Sequence, residues 1–292
     1  MVIVVGCGFL GSYLLRSLSA NTKEPLAATV RTADHFLPAE NVTWIRCDVT
    51  RRSDLERLAE QCSGKPNTVF YLAASHNVDH VFLDPEAARK INVEALETFL
   101  EVMPDIDRLF FASTDCVYGE SSKALPAFSE TSAARPLNEY GRQKLEAEQI
   151  VRSRGFTVLR FPLLMGPSLL PYKQHFYDKV CEKLTAHQEI EMIDGLRRSM
   201  LSYQTAAELA VRLAGLPKDR LAPVFNVCGD ESFTKYEIGC TLAEKLGVPK
   251  TLVRRITEEE GAKFFKDVRA SSTIMDNTLL KKTLRLSSVP WI

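Results

Sequence analysis

Two short stretches carry residue types that could do chemistry. FASTDCVYGE, Phe111–Glu120, follows the apolar run LFF and sets two hydroxyls, a carboxylate, a thiol and a phenol close together. Further on, Tyr140-Gly-Arg-Gln-Lys144 lies inside PLNEYGRQKLEAEQIV. Spacing of i, i+4 puts the phenol and the ammonium on one face of a helix. A neighbouring ammonium favours phenolate, so the Tyr140 pKa is expected to fall toward the range where it trades protons with a carbinol or carbonyl oxygen. Helices are rich in Tyr and Lys, so the pair gains meaning only beside other parts, such as the hydroxyls of Ser113 and Thr114. Asp115 and Cys116 could be an acid and a nucleophile, or bystanders beside the hydroxyl that matters.

Such residues need elements to hold them. Val2–Val5 reads as a strand, and Phe9–Ala20 has apolar residues at 9, 10, 14, 15 and 18, the period of a helix packed on a sheet. Leu26–Val30, Val42–Arg46, Thr68–Leu72, Arg108–Ala112 and Thr157–Arg160 are apolar without clean alternation, as in strands covered on both faces. Arg51–Cys62, Pro85–Met103 and Asn138–Arg154 supply the helices between them. This alternation predicts an α/β fold, a doubly wound parallel sheet of the Rossmann kind, with ligands at the carboxyl ends of the strands. After Pro162 the pattern weakens, with helices near Thr205–Ala214 and Lys235–Leu246 and a strand near Pro223–Val227. Residues 1–162 plus about 200–228 are expected to form the dinucleotide domain. About 163–199 plus 229–292 would form a smaller, partly interleaved substrate domain.

Gly6, Gly8 and Gly11 make G-x-G-x-x-G between the first strand and the first helix. The spacing suits a tight turn, close approach to a pyrophosphate and phosphate binding at a helix N-terminus; its bland alternative is a turn that serves packing alone. At the end of the second strand, AATVRT offers Arg31 where binding of the NAD ribose would call for a carboxylate. A guanidinium can grip a 2′-phosphate with two hydrogen bonds, so NADP(H) is favoured, with NAD(H) the alternative should Asp34 reach the ribose.

The chain has 37 basic and 37 acidic residues, which leaves no net field for nucleic acid or an anionic membrane. No apolar run approaches the roughly 18 residues of a membrane span, and MVIVVGCGFLG does not read as a signal peptide, so a cytoplasmic location is expected. Seven scattered cysteines without a C-x-x-C pair point to reduced, mostly buried thiols. His35, His80, His175 and His187 show no ligand spacing, and no catalytic metal is expected. Trp44 and Trp291 read as packing residues.

With the glycine turn, the hydroxyl-bearing strand end and Y-x-x-x-K assembled, the chain resembles the extended short-chain dehydrogenase/reductase superfamily, that is, the NAD-dependent epimerase/dehydratase superfamily. The resemblance continues through CDV at Cys47–Val49, YLAAS at Tyr71–Ser75, INVEAL at Ile91–Leu96 and LRFPLLMGP at Leu159–Pro167, and on through VFNVCGDESFTKYEI and IMDNTLLKKTL. It implies Tyr140 as general acid/base, Lys144 lowering its pKa and holding the nicotinamide ribose, and Thr114 bonding the reacting oxygen. It further implies that Gly6, Gly8, Phe9, Leu10 and Gly11 wrap the pyrophosphate and that Asp48 and Val49 meet the adenine. Arg31, Leu72, Ala73, Ala74 and Pro162 complete the expected cofactor set. The first motif is one residue shorter than the superfamily's commoner G-x-x-G-x-x-G.

Within that superfamily, dehydratases are similar to STDEVYG, with a Glu as base. This chain has STDC, and a thiol is a poor substitute for that carboxylate, so dehydration is disfavoured. STDCV, PLNEYGRQKL, AASHNVDH and VRASSTIMDN are closer to the dTDP-4-dehydrorhamnose reductase branch, although Ala270 replaces a proline. The resemblance therefore implies reduction of a keto group on a nucleotide-sugar-like substrate. The alternatives are an NAD-dependent nucleotide-sugar epimerase or a non-catalytic NADP-binding regulatory subunit. Ser75, His76, Asp115 and Arg198 are candidate substrate contacts, Arg198 being equally readable as an exposed charge. A homodimer through Pro85–Met103 and Asn138–Arg154 would fit the superfamily.

Overall fold

The computed structural model describes residues 1–292 apart from 33, 34, 36–40, 65, 125 and 292. Asp34, the alternative ribose ligand, lies outside the described residues. The first six strands are β1 (Val2–Val5), β2 (Leu26–Val30), β3 (Val42–Arg46), β4 (Asn67–Tyr71), β5 (Ile106–Thr114) and β6 (Thr157–Phe161). Shorter ones follow: β7 (Leu163–Met165), β8 (Ile190–Ile193), β9 (Arg197–Ser202), β10 (Val224–Asn226), β11 (Ser232–Phe233), β12 (Val253–Ile256) and β13 (Ser272–Thr273). The helices of the first half are α1 (Phe9–Asn21), α2 (Arg52–Gln61), α3 (Val78–Leu83), α4 (Pro85–Arg89), α5 (Ala95–Val102) and α6 (Glu139–Ser153). Those of the second half are α7 (Phe176–Thr185), α8 (Tyr203–Ala214), α9 (Lys235–Lys245), α10 (Glu258–Ala262) and α11 (Thr278–Leu284).

The main sheet has seven strands in the order β10-β6-β5-β4-β1-β2-β3, and every neighbouring pair is parallel. Every residue of β1, β2 and β6 is buried, which explains why these strands read as continuous apolar runs. One face is covered by α1 and α8, with Leu14, Leu18, Ala206 and Ala210 in the shared core. The other is covered by α2, α5 and α6 through Leu58, Phe99 and Ala147. The chain leaves β1 toward β2 on one side and reaches β4 on the other, so a crevice opens at the carboxyl end of β1.

Two smaller sheets stand beyond that edge. In one, β9 pairs with β7 and β13 in parallel and with β11 antiparallel; in the other, β8 pairs with β12. Val180, Leu184, Ile238, Leu242 and Trp291 give these pieces their own apolar cluster. Among the described residues no helix is long and apolar enough to cross a membrane.

Two predicted elements differ from the structure. The helix expected over Pro85–Met103 is interrupted by a π turn at Lys90–Glu94, between α4 and α5. That turn carries Asn92 inward, where its amide bonds Ser75 on β4's extension and Gln143 of α6. β5 extends two residues beyond Arg108–Ala112 at each end, so Ser113 and Thr114 belong to the strand itself.

Candidate active site

The glycine turn places Gly6 at φ +85°, where a side chain is strained, and a Cβ there would come 2.6 Å from the Ala73 backbone. Its N–H donates to Thr29 Oγ1 at 2.8 Å, which fixes the turn against β2. Gly8 caps α1 with no side-chain acceptor, and a Cβ built on it would meet nothing within 4 Å. The first turn of α1 holds no acidic residue. Its free N–H groups and positive dipole end therefore face open space, a fit for a pyrophosphate.

Around that space the carboxyl ends of the strands converge. Phe9, Leu10 and Gly11 of α1 line one cleft of about 700 Å³ together with Arg31 after β2 and Asp48 and Val49 after β3. Leu72, Ala73 and Ala74 after β4 and Pro162 after β6 line it too. Arg31 is exposed at the rim, whereas Asp48 Oδ1 accepts from the Thr50 N–H and hydroxyl at 3.1 and 2.7 Å.

The polar cluster sits at the end of β5, where the chain turns through a 3-10 segment, Asp115–Val117. Thr114 Oγ1 accepts from the Cys116 N–H at 3.2 Å and donates to Asp115 Oδ1 at 3.1 Å. Helix α6 begins at the Asn138 cap, whose side chain accepts from the Gly141 N–H at 2.9 Å. Gly141 abuts the Cys116 carbonyl so closely that any Cβ would collide with it. A glycine beside the tyrosine is what lets α6 lie against the 3-10 turn and brings Tyr140 to the same end of the cleft as Thr114.

Tyr140 is 8% exposed and Lys144 1%. The expected lowering of the phenol's pKa by Lys144 does not occur. Burial pushes the Tyr140 phenol up, Cys116 and Asp115 add to the rise, and the Thr114 hydroxyl only partly offsets them. Burial likewise pulls Lys144 down to about 7, against the raising effect of Glu148. The Lys144 ammonium lies 3.9 Å from the centre of the Phe111 ring. Desolvation dominates both groups, and neither Lys144 nor Tyr140 is among the groups that move the other.

Asp115 and Arg198 form a buried ion pair, Nη1 to Oδ2 at 2.8 Å, with side chains 4% and 15% exposed. The reading of Arg198 as an exposed charge is therefore wrong: β9 carries it into the cleft, and its guanidinium also lies 3.6 Å from Cys116 Sγ. Burial, then Asp115, raises the Cys116 thiol, which leaves it a poor nucleophile. His76 lines the cleft, where it is exposed. Ser75 does not line it; its backbone is occupied by Asn92.

Several neighbours escaped sequence reasoning. Behind Lys144, Glu148 accepts from Ser113 Oγ at 2.5 Å and pairs with Arg160 at 2.5 Å, all three residues being buried. His175 caps α7 and meets Phe9 and Tyr203 edge-on. Lys235 and Arg269 enter from the far side. Both stand in stretches singled out by resemblance, FTKYEI and VRASS, but nothing in those stretches shows which side chains point inward.

The model of the NAD dependent epimerase/dehydratase family matches residues 2–227, from β1 through β10. The chain belongs to that family. Among curated relatives, it is 27% identical to methionine adenosyltransferase 2 subunit beta of Xenopus laevis over 201 residues, 67% of this chain and 59% of the relative. The chain thus spans about six tenths of that relative's length. The UDP-glucose 4-epimerase of Thermus thermophilus, in complex with NAD, superposes with a TM-score of 0.82 at 21% identity, covering 97% of this chain and 92% of that one. A hypothetical dTDP-4-dehydrorhamnose reductase from Sulfolobus tokodaii superposes at 0.78 and 22%, covering 99% and 96%. Likeness at these identities shows that this epimerase/dehydratase family member shares their fold.

Proposed function

We propose that the protein is an NAD(P)-dependent reductase acting on a keto group of a nucleotide-sugar-like substrate. The observation that carries this reading is the Tyr140 phenol set with Thr114 and Lys144 in the same cleft as the open glycine turn. A reduced dinucleotide, with its pyrophosphate on that turn and its nicotinamide ribose at Lys144, would supply the hydride to the carbonyl carbon. Tyr140 gives its phenolic proton to the carbonyl oxygen, so that the carbonyl becomes a carbinol. Thr114, whose hydroxyl donates to Asp115, can redirect that proton to the same oxygen. Lys144 holds the cofactor ribose and, when protonated, offsets the phenolate left behind. Asp115, held by Arg198, is not free to protonate a leaving hydroxyl, which supports reduction over dehydration.

Arg31 at the rim supports NADP(H), its guanidinium being suited to a 2′-phosphate. Homodimerisation through the α4–α5 segment and α6 belongs to the same proposal.

A second reading has its own support. The curated relative named above is a subunit of methionine adenosyltransferase, so this chain could bind a dinucleotide as a subunit of another enzyme and catalyse nothing. NADPH oxidation with a panel of keto-sugar nucleotides separates the two. The reductase reading requires turnover that falls at least about 100-fold in Tyr140→Phe. No oxidation with any keto substrate sinks it.

A further inference from the structure

The far end of the cleft is rich in charge, and nearly all of it is internally balanced. Asp115 is paired with Arg198 at 2.8 Å and Asp79 with Arg269 at 3.0 Å. Around α9, beyond the residues that line the cleft, Glu237 is paired with Arg197 at 2.5 Å, and Asp194 with Arg255. The guanidiniums at this end already hold carboxylates of their own. Lys235 is the exception: among the described residues no carboxylate pairs with it and no hydrogen-bond acceptor takes its ammonium.

The surroundings make that solitude costly. Lys235 is the first residue of α9, whose N-terminus is the positive end of the helix dipole and repels a cation. Burial lowers its pKa, Arg198 and Arg269 stand near enough to disfavour its charge further, and Asp79, already paired with Arg269, offsets them only in part. Its ammonium lies 5.5 Å from the Phe176 ring centre and 5.2 Å from that of Phe265, contacts that soften the cost without neutralising the charge. Meanwhile Lys235, Phe233 and Phe265 line the same cleft as Thr114, Asp115 and Tyr140. A cation with no carboxylate at bonding distance in a cleft is arranged for an anion that arrives from outside.

We infer that Lys235 anchors a phosphate group of the substrate, being the cation at this end that holds no carboxylate of its own, whereas Arg198 and Arg269 each hold one. A lysine serves as a compact point charge for phosphate, and the Phe176 and Phe265 rings flank it. The inference rests on the reductase reading for the identity of the substrate, but binding alone tests it. The phosphate could belong to a nucleoside diphosphate or to a sugar monophosphate, so UDP and glucose 1-phosphate are titrated separately into the full chain by calorimetry. Whichever the wild type binds, Lys235→Met should weaken it at least about tenfold, and Lys235→Arg should restore most of the loss, since each tenfold is about 1.4 kcal/mol. NADPH affinity should stay unchanged in both variants. Unaltered phosphate binding in Lys235→Met would overturn the inference, as would a wild type that binds neither probe at millimolar concentration. Absence of NADPH turnover, by contrast, would strike only the reductase reading.

Discussion

Lys144→Met tests the claim that function keeps a costly charge inside this fold. Lys144 is 1% exposed, and burial brings its pKa from the ordinary 10.5 to about 7. Between those values the unfolded chain holds a proton that the folded chain has released, so wild-type stability rises with pH across the window and falls as pH drops toward about 7. At about pH 6 the cost reaches a ceiling of about 5 kcal/mol; at about pH 9, where the folded lysine is largely neutral, about 2 kcal/mol remains. Methionine fills a similar volume without the charge, while Glu148 keeps Arg160 as partner. Urea unfolding should show Lys144→Met more stable than wild type by up to about 5 kcal/mol at the lower pH, with the advantage shrinking by about 3 kcal/mol at the higher. The same variant should lose turnover. A stability difference that is independent of pH, or a variant less stable than wild type at about pH 6, would refute the reasoning.

Two further outcomes follow from the site. Arg31→Ala should weaken NADPH at least about tenfold while leaving NADH nearly unchanged, read by fluorescence titration of each cofactor; equal losses would remove Arg31 from the 2′-phosphate. Asp115→Asn leaves Arg198 as a buried charge without its anion, and denaturant unfolding should register a loss of about 3 kcal/mol or more; a loss below about 1 kcal/mol would show that the pair is dispensable.

Much of the large sheet was legible because its strands are buried on both faces and its helices keep one apolar stripe. The glycine turn was equally plain, since G-x-G-x-x-G followed a strand and opened a helix. Periodicity could not reveal the π turn at Lys90–Glu94, because five residues are too few to show a change of period, and it is this turn that carries the buried Asn92. Spacing put Tyr140 and Lys144 on one helix face and stopped there. Which way their pKa values move depends on burial, a tertiary quantity, and burial reversed the expected direction for the phenol. The Asp115–Arg198 pair joins residues 83 positions apart, and the solitude of Lys235 is a property of every carboxylate around it. No local pattern encodes either. Ser75 stands at the strand end as expected, and the Asn92 amide that takes both its backbone N–H and its carbonyl was likewise invisible to local pattern.

The central claim, hydride delivery with Tyr140 as proton donor, is most directly tested by following label from deuterated NADPH. Single turnover with a keto-sugar nucleotide should place one deuterium on the carbinol carbon, and Tyr140→Phe should slow that transfer at least about 100-fold while still binding the cofactor. Cofactor binding with no label transferred in the wild type, or transfer at the wild-type rate in Tyr140→Phe, would contradict it.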